Sequence, residues 1–174
     1  MNAGGHLVLV GLMGVGKTTV GIECATRLAR AFVDTDDLVV AQTGIPFTEF
    51  WAAHGEPAFR EIERAVVADV CESPERLVVA CGGGTVVDPD NRRKLRAAGV
   101  VVWLRAPVRV LARRVGAGED RPLLAGDPVA ALTRLEAARE TAYEASAHTM
   151  VDTGDLDVGA VTDAVLQAYE REQS

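Results

Sequence analysis

The residues from Gly11 to Thr18, G-L-M-G-V-G-K-T, decide the fold of this chain. They fit the P-loop (Walker A) pattern G-x-x-x-x-G-K-[ST], in which glycines free backbone N–H groups to surround phosphate oxygens, a lysine reaches the β and γ phosphates, and a hydroxyl binds Mg²⁺. The apolar run Leu7–Val10 predicts a buried strand before the loop, and apolar residues at helical spacing predict a helix after it. A helix that starts here also directs its positive dipole end at phosphates. The stretch therefore predicts a nucleoside triphosphate site.

Composition supports this interpretation of Lys17. The chain contains 18 lysines and arginines, yet only Lys17 and Lys94 are lysines, so lysine in the loop is a specific choice. A dinucleotide fingerprint G-x-G-x-x-G is disfavoured because Thr19 stands where its third glycine belongs. Neither lysine lies in an N-K-x-D-type motif, which argues against a guanine-specific switch. An ordinary strand-to-helix turn remains the alternative.

Length and charge limit the class of protein. At 174 residues, with 48% hydrophobic and 25% charged residues, the chain predicts one globular domain spanning residues 1–174. A net charge of −7 argues against nucleic-acid binding. There is no apolar run of about 18 residues and no basic, signal-like amino terminus, so we expect a cytoplasmic protein without membrane contact. We expect it to be a monomer whose partner is a small molecule.

The cysteines and histidines give no indication of a catalytic or metal-binding role. Cys24, Cys71 and Cys81 are odd in number and lack metal-ligand spacing, which favours buried thiols. The three histidines are scattered along the chain, and we assign them no role.

Strand and helix patterns alternate along the whole chain, which predicts an α/β fold with a parallel sheet covered on both faces. The predicted strands are Leu7–Val10, Phe32–Asp34, Leu77–Ala80, Val100–Leu104 and Thr149–Asp152. The predicted helices are Lys17–Ala31, Asp36–Thr43, Phe47–His54, Pro57–Glu72, Pro89–Ala98, Pro107–Val115, Pro128–Ala147 and Val158–Arg171.

Two regions break the alternation. Residues 36–72 hold three helical segments in succession, where a minimal βαβ unit needs one, and predict an inserted subdomain beside the P-loop. Residues 115–127, V-G-A-G-E-D-R-P-L-L-A-G-D, are rich in glycine and charge and predict a mobile surface loop that could act as a lid.

Asp34 and Asp36 are the candidate acidic residues for phosphoryl transfer. They close the second strand, at the strand end where doubly wound sheets bind ligands, whereas the third strand ends in glycine. Both carboxylates face the same side if the chain stays extended there. The alternative is a structural one, with Thr35 or Asp36 capping the next helix.

Four further features could carry binding. Arg60 and Glu63 share a helix face at i, i+3, although a solvated charge face is the commoner explanation. Gly82, Gly83 and Gly84 allow a close backbone approach to a ligand, or a tight turn. Arg121, on the expected lid, could stabilise charge on a transferring phosphoryl group. Arg139, taken alone, would be an ordinary surface residue.

Together these segments resemble the shikimate kinase family over nearly the whole chain. The markers occur in order: G-L-M-G-V-G-K-T-T, V-D-T-D, H-G-E-P-A-F-R-E-I-E, G-G-G, R-P-L-L, A-R-E-T-A-Y and V-D-T. The resemblance implies a three-layer P-loop kinase fold with a five-stranded parallel sheet, a helical substrate-binding insertion and a lid. It also implies a transferase that uses ATP and Mg²⁺ to phosphorylate the 3-hydroxyl of shikimate, in the pathway to chorismate and aromatic amino acids.

The resemblance also implies a role for each marker residue. Gly14, Val15, Gly16, Lys17, Thr18 and Thr19 would bind the phosphates, with Arg121 closing over them. The adenine would lie between Arg114 and the segment after Asp152. Thr18 and Asp34 would hold Mg²⁺, and Asp36 would bind the acceptor hydroxyl and act as base or orienter. Asp36, Arg60, Gly82, Gly83, Gly84 and Arg139 would bind the substrate, with Glu63 holding Arg60. Lys17, Asp36 and Arg121 would be the catalytic residues.

Three positions depart from the family pattern. Trp51 stands where phenylalanine is frequent beside the substrate, Met13 lies within the P-loop, and no proline follows Asp152. A kinase for another hydroxylated acid, such as gluconate or an aminoshikimate-like compound, is therefore the alternative function. A non-catalytic binding module is disfavoured because Lys17, Asp34, Asp36 and Arg121 are all present.

Overall fold

A computed structural model describes residues 5–116 and 122–174 of the chain. Within these ranges, five parallel strands form one sheet in the order β2-β3-β1-β4-β5. The strands are β1 (His6–Val10), β2 (Phe32–Asp34), β3 (Val78–Ala80), β4 (Gly99–Arg105) and β5 (Thr149–Asp152). The predicted five-stranded parallel sheet is confirmed.

The helices of the described residues are α1 (Lys17–Leu28), α2 (Thr35–Thr43), α3 (Phe47–Glu72), α4 (Pro89–Ala98), α5 (Val108–Val115), α6 (Pro128–Ser146) and α7 (Val158–Glu172). Two 3₁₀ turns, Thr85–Val87 and Pro122–Leu124, complete them. Asp88 and Asp127 cap α4 and α6, each followed by proline at the first helical position, where its missing N–H costs nothing.

The inserted region differs from its prediction in two details. The helices predicted over 47–54 and 57–72 are the two arms of α3, which bends at Gly55, where φ is 78° and ψ 175°. Helix α2 starts at Thr35, so the assumption that the chain stays extended from Asp34 to Asp36 is wrong. The side chain of Asp34 accepts a hydrogen bond from the Asp36 N–H and caps the helix, which stops the strand there.

The core lies on both faces of the sheet. Every residue of β1 and β3 is buried, and Trp103 of β4 stacks on Tyr143 of α6 with ring centroids 5.6 Å apart. The connection that follows β1 leads to β2 at one edge of the sheet, whereas the connection that follows β4 leads to β5 at the opposite edge. The carboxyl ends of β1 and β4 therefore flank a topological switch point, where open α/β sheets bind ligands.

His6 and His148 have structural positions. The Nδ1 atom of His6 accepts a hydrogen bond from the Leu77 N–H, and that of His148 accepts one from the Val101 N–H. Burial lowers the pKa of both side chains, which favours the neutral, accepting form. Neither histidine lines the large cavity described below.

The cysteines are free thiols. Cys24 and Cys81 are buried and Cys71 is half-buried, close to the prediction, and burial raises the pKa of Cys24 to about 12. No helix among the described residues is both long and apolar enough to cross a membrane.

Candidate active site

The P-loop links β1 to α1 with backbone conformations that require glycine. Gly14 has φ 81° and Gly16 has φ 101°, values that L side chains rarely adopt. Gly16 is also the N-cap of α1, and no side chain caps that helix. Its first N–H groups and its positive dipole end are therefore available to an anion. The side chain of Lys17 folds over the loop, where Nζ donates to the carbonyls of Gly11 at 2.7 Å and Leu12 at 3.0 Å.

Thr18 and Asp34 lie together beside the P-loop. The Thr18 hydroxyl donates to Asp34 Oδ2 at 3.1 Å, while Asp34 Oδ1 accepts from the Asp36 N–H at 2.9 Å. One carboxylate thus serves both as the helix cap and as the neighbour of the P-loop hydroxyl. Mg²⁺ takes oxygen ligands and usually retains several waters, so one carboxylate and one hydroxyl are a sufficient protein contribution. The pair fits such an ion.

Asp36 lies at the start of α2 and faces the cavity. Burial, with the nearby carboxylates of Asp34 and Glu63, raises its pKa to about 6, against the lowering effect of Lys17 and Arg60. A carboxylate with that pKa is largely ionised at neutral pH and can still accept a proton. This is the range in which enzymes hold a general base.

Arg60 and Glu63 do not form a solvated charge face. Glu63 is 1% exposed, and its Oε1 accepts from Arg60 Nη1 at 2.8 Å. The guanidinium also contacts Glu56 at 3.3 Å and lies 5.4 Å above the ring of Phe59. A solvated charge face is the wrong interpretation of this pair, because α3 packs against α4 and against the 3₁₀ turn Thr85–Val87, whose Thr85 hydroxyl donates to Glu63.

The three glycines each adjoin a different functional side chain. A Cβ atom at Gly82 would collide with the Asp36 carboxylate, and one at Gly84 with the Arg60 guanidinium. A Cβ at Gly83 would lie 3.1 Å from Arg139 Nη1. The three glycines therefore leave room for the side chains of Asp36, Arg139 and Arg60, and do more than form a tight turn.

Two hydroxyl groups fix this glycine run. Thr35 accepts from the Gly82 N–H at 2.9 Å, and the Tyr143 hydroxyl donates to the Gly83 carbonyl at 2.6 Å. The sequence offered Thr35 only as a helix cap and assigned no role to Tyr143, although Tyr143 follows Arg139 at i, i+4 and so shares its helix face. Arg139 is 7% exposed, which contradicts the surface position expected from its sequence context alone.

Arg114 joins the P-loop to the segment after β5. Its guanidinium donates to the Gly14 carbonyl at 3.3 Å and to the hydroxyl and carbonyl of Thr153 at 3.3 and 3.1 Å. Leu156 and Val158, 45% and 43% exposed, line the same end of the cavity. Arg114 and residues of the 153–158 segment thus line the cavity beside the P-loop.

Most of these groups line one cavity of about 910 Å³, and Thr35 and Tyr143 support it from outside its lining. It brings together the P-loop and groups from five other parts of the chain: Asp34, Asp36, Arg60, Glu63, Gly82, Gly83, Gly84, Arg114 and Arg139. Thr19 lines it as well, and so does the aromatic cluster of Phe47, Trp51 and Phe59. Arg121 lies outside the described residues.

Comparisons with known proteins agree with this geometry. The sequence model of the family described as shikimate kinase matches residues 13–170. The shikimate kinase of Caulobacter vibrioides strain NA1000 is 45% identical over 166 residues, which cover 95% of this chain and 82% of that protein. The structure of shikimate kinase from Acinetobacter baumannii in complex with shikimate is 32% identical, has a TM-score of 0.93, and covers 98% of this chain and 96% of that one.

A gluconokinase from Sinorhizobium meliloti is more distant. It is 22% identical, with a TM-score of 0.62 over 97% of this chain and 93% of that one, which shows a shared fold only. By contrast, the family model matches residues 13–170, and the Caulobacter relative is 45% identical over 95% of the chain. The chain belongs to the shikimate kinase family.

Proposed function

We propose that this protein transfers the γ-phosphate of ATP to the 3-hydroxyl of shikimate, giving ADP and shikimate 3-phosphate for the pathway to chorismate. One observation carries the proposal: a P-loop, a carboxylate of raised pKa, the half-buried Arg60 and the buried Arg139 converge on a single cavity. A compact acceptor with one carboxylate and several hydroxyls matches that set of groups.

The P-loop side of the cavity would hold ATP, the co-substrate of this family. Backbone N–H groups of residues 14–19 and the Lys17 ammonium would bind the phosphates. The adenine would lie between Arg114 and the segment after Asp152, beside the apolar side chains of Leu156 and Val158. On binding, Lys17 would exchange its contacts with the Gly11 and Leu12 carbonyls for phosphate oxygens.

Thr18 and Asp34 would hold Mg²⁺. Their oxygens already lie 3.1 Å apart, and both are hard ligands of the kind that Mg²⁺ prefers. When bound, the ion supplies charge neutralisation on the β and γ phosphates. The Thr18–Asp34 hydrogen bond would open to admit it, while Asp34 Oδ1 keeps its cap on α2.

Asp36 would accept a hydrogen bond from the 3-hydroxyl of shikimate. The hydroxyl oxygen attacks the γ-phosphorus, the bond to the β–γ bridging oxygen breaks, and the hydroxyl proton passes to the Asp36 carboxylate. Because phosphoryl transfer has a loose transition state, holding the hydroxyl in line contributes as much as removing its proton. The raised pKa suits both roles.

Arg60 and Arg139 would bind the shikimate carboxylate. They come from different helices and reach the glycine run from neighbouring positions, at Gly84 and Gly83. A guanidinium pairs with a planar carboxylate through two parallel hydrogen bonds, which fixes the acceptor's orientation as well as its charge. The proposed role of Arg121, closure over the phosphates, stays a prediction, and so does the lid over residues 115–127.

A coupled assay of ADP release tests the function. The purified protein would be given ATP, Mg²⁺ and, in parallel, shikimate, gluconate or an aminoshikimate, with Lys17→Ala as the inactive control. We expect shikimate to give the highest kcat/KM by at least about 100-fold, since a hydroxyl or carboxylate placed wrongly leaves buried partners unpaired. Equal or better turnover of another acid would overturn the assignment.

A further inference from the structure

Thr85 is a fully buried residue directly after the glycine run, at the start of the 3₁₀ turn Thr85–Val87. Its hydroxyl donates a 2.7 Å hydrogen bond to Oε2 of Glu63, which lies 22 residues earlier in α3. Thr85 does not line the cavity, so it does not reach a ligand directly. Any part it has in binding must pass through Glu63.

Glu63 uses each of its carboxylate oxygens for a different donor. Oε2 accepts from Thr85, and Oε1 accepts from Arg60 Nη1 at 2.8 Å. The side chain is only 1% exposed, so water does not readily replace either donor. A buried carboxylate oxygen without a donor is costly, and with both donors present the carboxylate has a single orientation.

The position of Thr85 is itself fixed from two directions. Its N–H donates to the Gly82 carbonyl at 3.0 Å, and its own carbonyl accepts from Asn91 Nδ2 at 3.0 Å. Asn91 belongs to α4 and is 1% exposed. The hydroxyl of Thr85 is therefore held at a constant distance from the glycine run against which Arg60 lies.

Arg60 has no comparable support elsewhere among the described residues. Its other carboxylate partner, Glu56, accepts from Arg60 Nε and Nη2 at 3.3 Å each, but Glu56 is 55% exposed, so these long contacts hold the guanidinium plane only weakly. The aromatic rings of Phe59 and Trp51, 5.4 and 6.0 Å from the guanidinium carbon, limit its position but not the rotation of its plane. The plane in which Arg60 presents its N–H groups thus depends on the Glu63 carboxylate.

We propose that Thr85 is a positioning residue for acceptor binding: through Glu63 it sets the orientation in which Arg60 meets the carboxylate of the acceptor. This inference rests on the proposed function, in which Arg60 binds that carboxylate. A bidentate pair requires both groups in one plane, so a rotated guanidinium keeps its charge and loses one of two hydrogen bonds.

Thr85→Val and Thr85→Ser test the proposal. Valine keeps the volume and removes the donor, whereas serine keeps the donor. We expect Thr85→Val to raise KM for shikimate roughly 10-fold, the loss of one hydrogen bond to a charged group, with kcat and KM for ATP within about 2-fold of wild type. Thr85→Ser should restore KM. Calorimetric titration with shikimate should give the same 10-fold change in Kd.

Thr162→Val is the matched control. Thr162 is also 0% exposed, and its hydroxyl donates to the Val158 carbonyl within α7, away from the acceptor groups. This variant should leave KM for shikimate unchanged. If Thr85→Val does not fold, Thr85→Ala carries the same expectation, because alanine also removes the donor and adds no bulk.

Three results would overturn the proposal: an unchanged KM for shikimate in the variants without the hydroxyl, an equal loss in both KM values and kcat, or a failure of serine to restore KM. These differ from failure of the proposed function, in which the wild-type protein itself would not phosphorylate shikimate.

Discussion

The cavity has two halves that are built in opposite ways. The phosphate-binding core of the proposed nucleotide half, Gly11–Thr18, is one continuous segment whose chemistry comes mainly from backbone N–H groups and a helix terminus. The acceptor half consists of Asp36, Arg60, Gly82–Gly84 and Arg139, four groups separated by 20 residues or more, whose chemistry comes mainly from side chains. One half is local, and the other exists only after folding.

This difference predicts how each half responds to mutation. The phosphate loop binds mainly through backbone N–H groups, which substitutions do not remove. Only the side chains of Lys17 and Thr18 offer a group that a substitution can delete. The acceptor half depends on a chain of side-chain contacts, such as Asp36 against Gly82 and Tyr143 on the Gly83 carbonyl, so changes outside the cavity wall reach it. Variants of the acceptor half should therefore affect shikimate kinetics while leaving nucleotide binding intact.

The largest effect should come from Asp36→Asn. We expect kcat to fall by about 1000-fold or more, since the variant removes the group that orients and deprotonates the hydroxyl. Nucleotide affinity, measured by calorimetry with ADP, should change less than about 2-fold. A parallel loss of nucleotide binding would show that the two halves are not separable.

The same variant should also be more stable than wild type. The pKa of Asp36 is raised to about 6, above that of an unfolded aspartate, so its charged form costs folding free energy at pH 7. Asparagine removes that charge, and we expect the free energy of unfolding to rise by about 1 kcal/mol at pH 7. Denaturant titration at pH 7 and pH 5 would check this, since the gain should shrink as Asp36 itself becomes protonated.

Arg139→Lys should have the next largest effect. Lysine keeps the charge and loses the planar pair of donors, so we expect KM for shikimate to rise about 10- to 100-fold. KM for ATP should stay within about 2-fold of wild type. Arg93→Lys is the control, because Arg93 is an exposed residue of α4 whose ion pair with Asp90 lies away from the cavity. An unchanged KM in Arg139→Lys would remove Arg139 from the acceptor half.

Lowering the pH should have the next largest effect, on kcat/KM for shikimate. Because Asp36 must be ionised to accept the hydroxyl proton and its pKa is about 6, kcat/KM for shikimate should fall below pH 6 by about 10-fold per pH unit. The residual activity of Asp36→Asn should lack this dependence, which separates Asp36 from titration of ATP itself. A wild-type profile that is flat down to pH 5 would contradict the assignment.

The smallest effect should come from Tyr143→Phe. This variant keeps the ring stacked on Trp103 and removes only the hydroxyl that donates to the Gly83 carbonyl. We expect KM for shikimate to rise about 3-fold, the cost of one neutral hydrogen bond, with the ATP values unchanged. A change in ATP kinetics instead would show that the glycine run serves the nucleotide half as well.

Sequence patterns were sufficient for the layers of the fold. Buried strands such as β1 and β4 are continuous apolar runs, and proline and aspartate mark the start of α4 and α6, so their order and type are local properties. The sequence indicated a break at Gly55. It did not indicate that the two helical arms form one bent helix, because that depends on what the arms pack against. The prediction of an extended conformation over Asp34–Asp36 was wrong because a single hydrogen bond, from the Asp36 N–H to the Asp34 side chain, starts the helix at Thr35.

Sequence patterns did not predict which charged side chains are buried. Arg60, Glu63 and Arg139 have the sequence context of solvated helix faces, yet in the folded molecule Glu63 and Arg139 are buried and the Arg60 side chain is only 20% exposed. Their assignment to the acceptor came from family resemblance rather than from spacing. Thr35, Thr85 and Tyr143 gave no distinct signal, since a hydroxyl becomes informative only when its partner, far away in sequence, is known.

By itself the sequence determined the parallel α/β fold and the phosphate loop, because hydrophobic periodicity and the glycine-lysine spacing act within a few residues. The tertiary structure alone decided that Asp36 meets Gly82, that Arg60 meets Gly84, and that Glu63 lies buried between Arg60 and Thr85. Apart from the Arg60–Glu63 pair, those contacts join residues between 22 and 46 positions apart, and their electrostatics depend on exclusion of water, which is a property of the packed molecule.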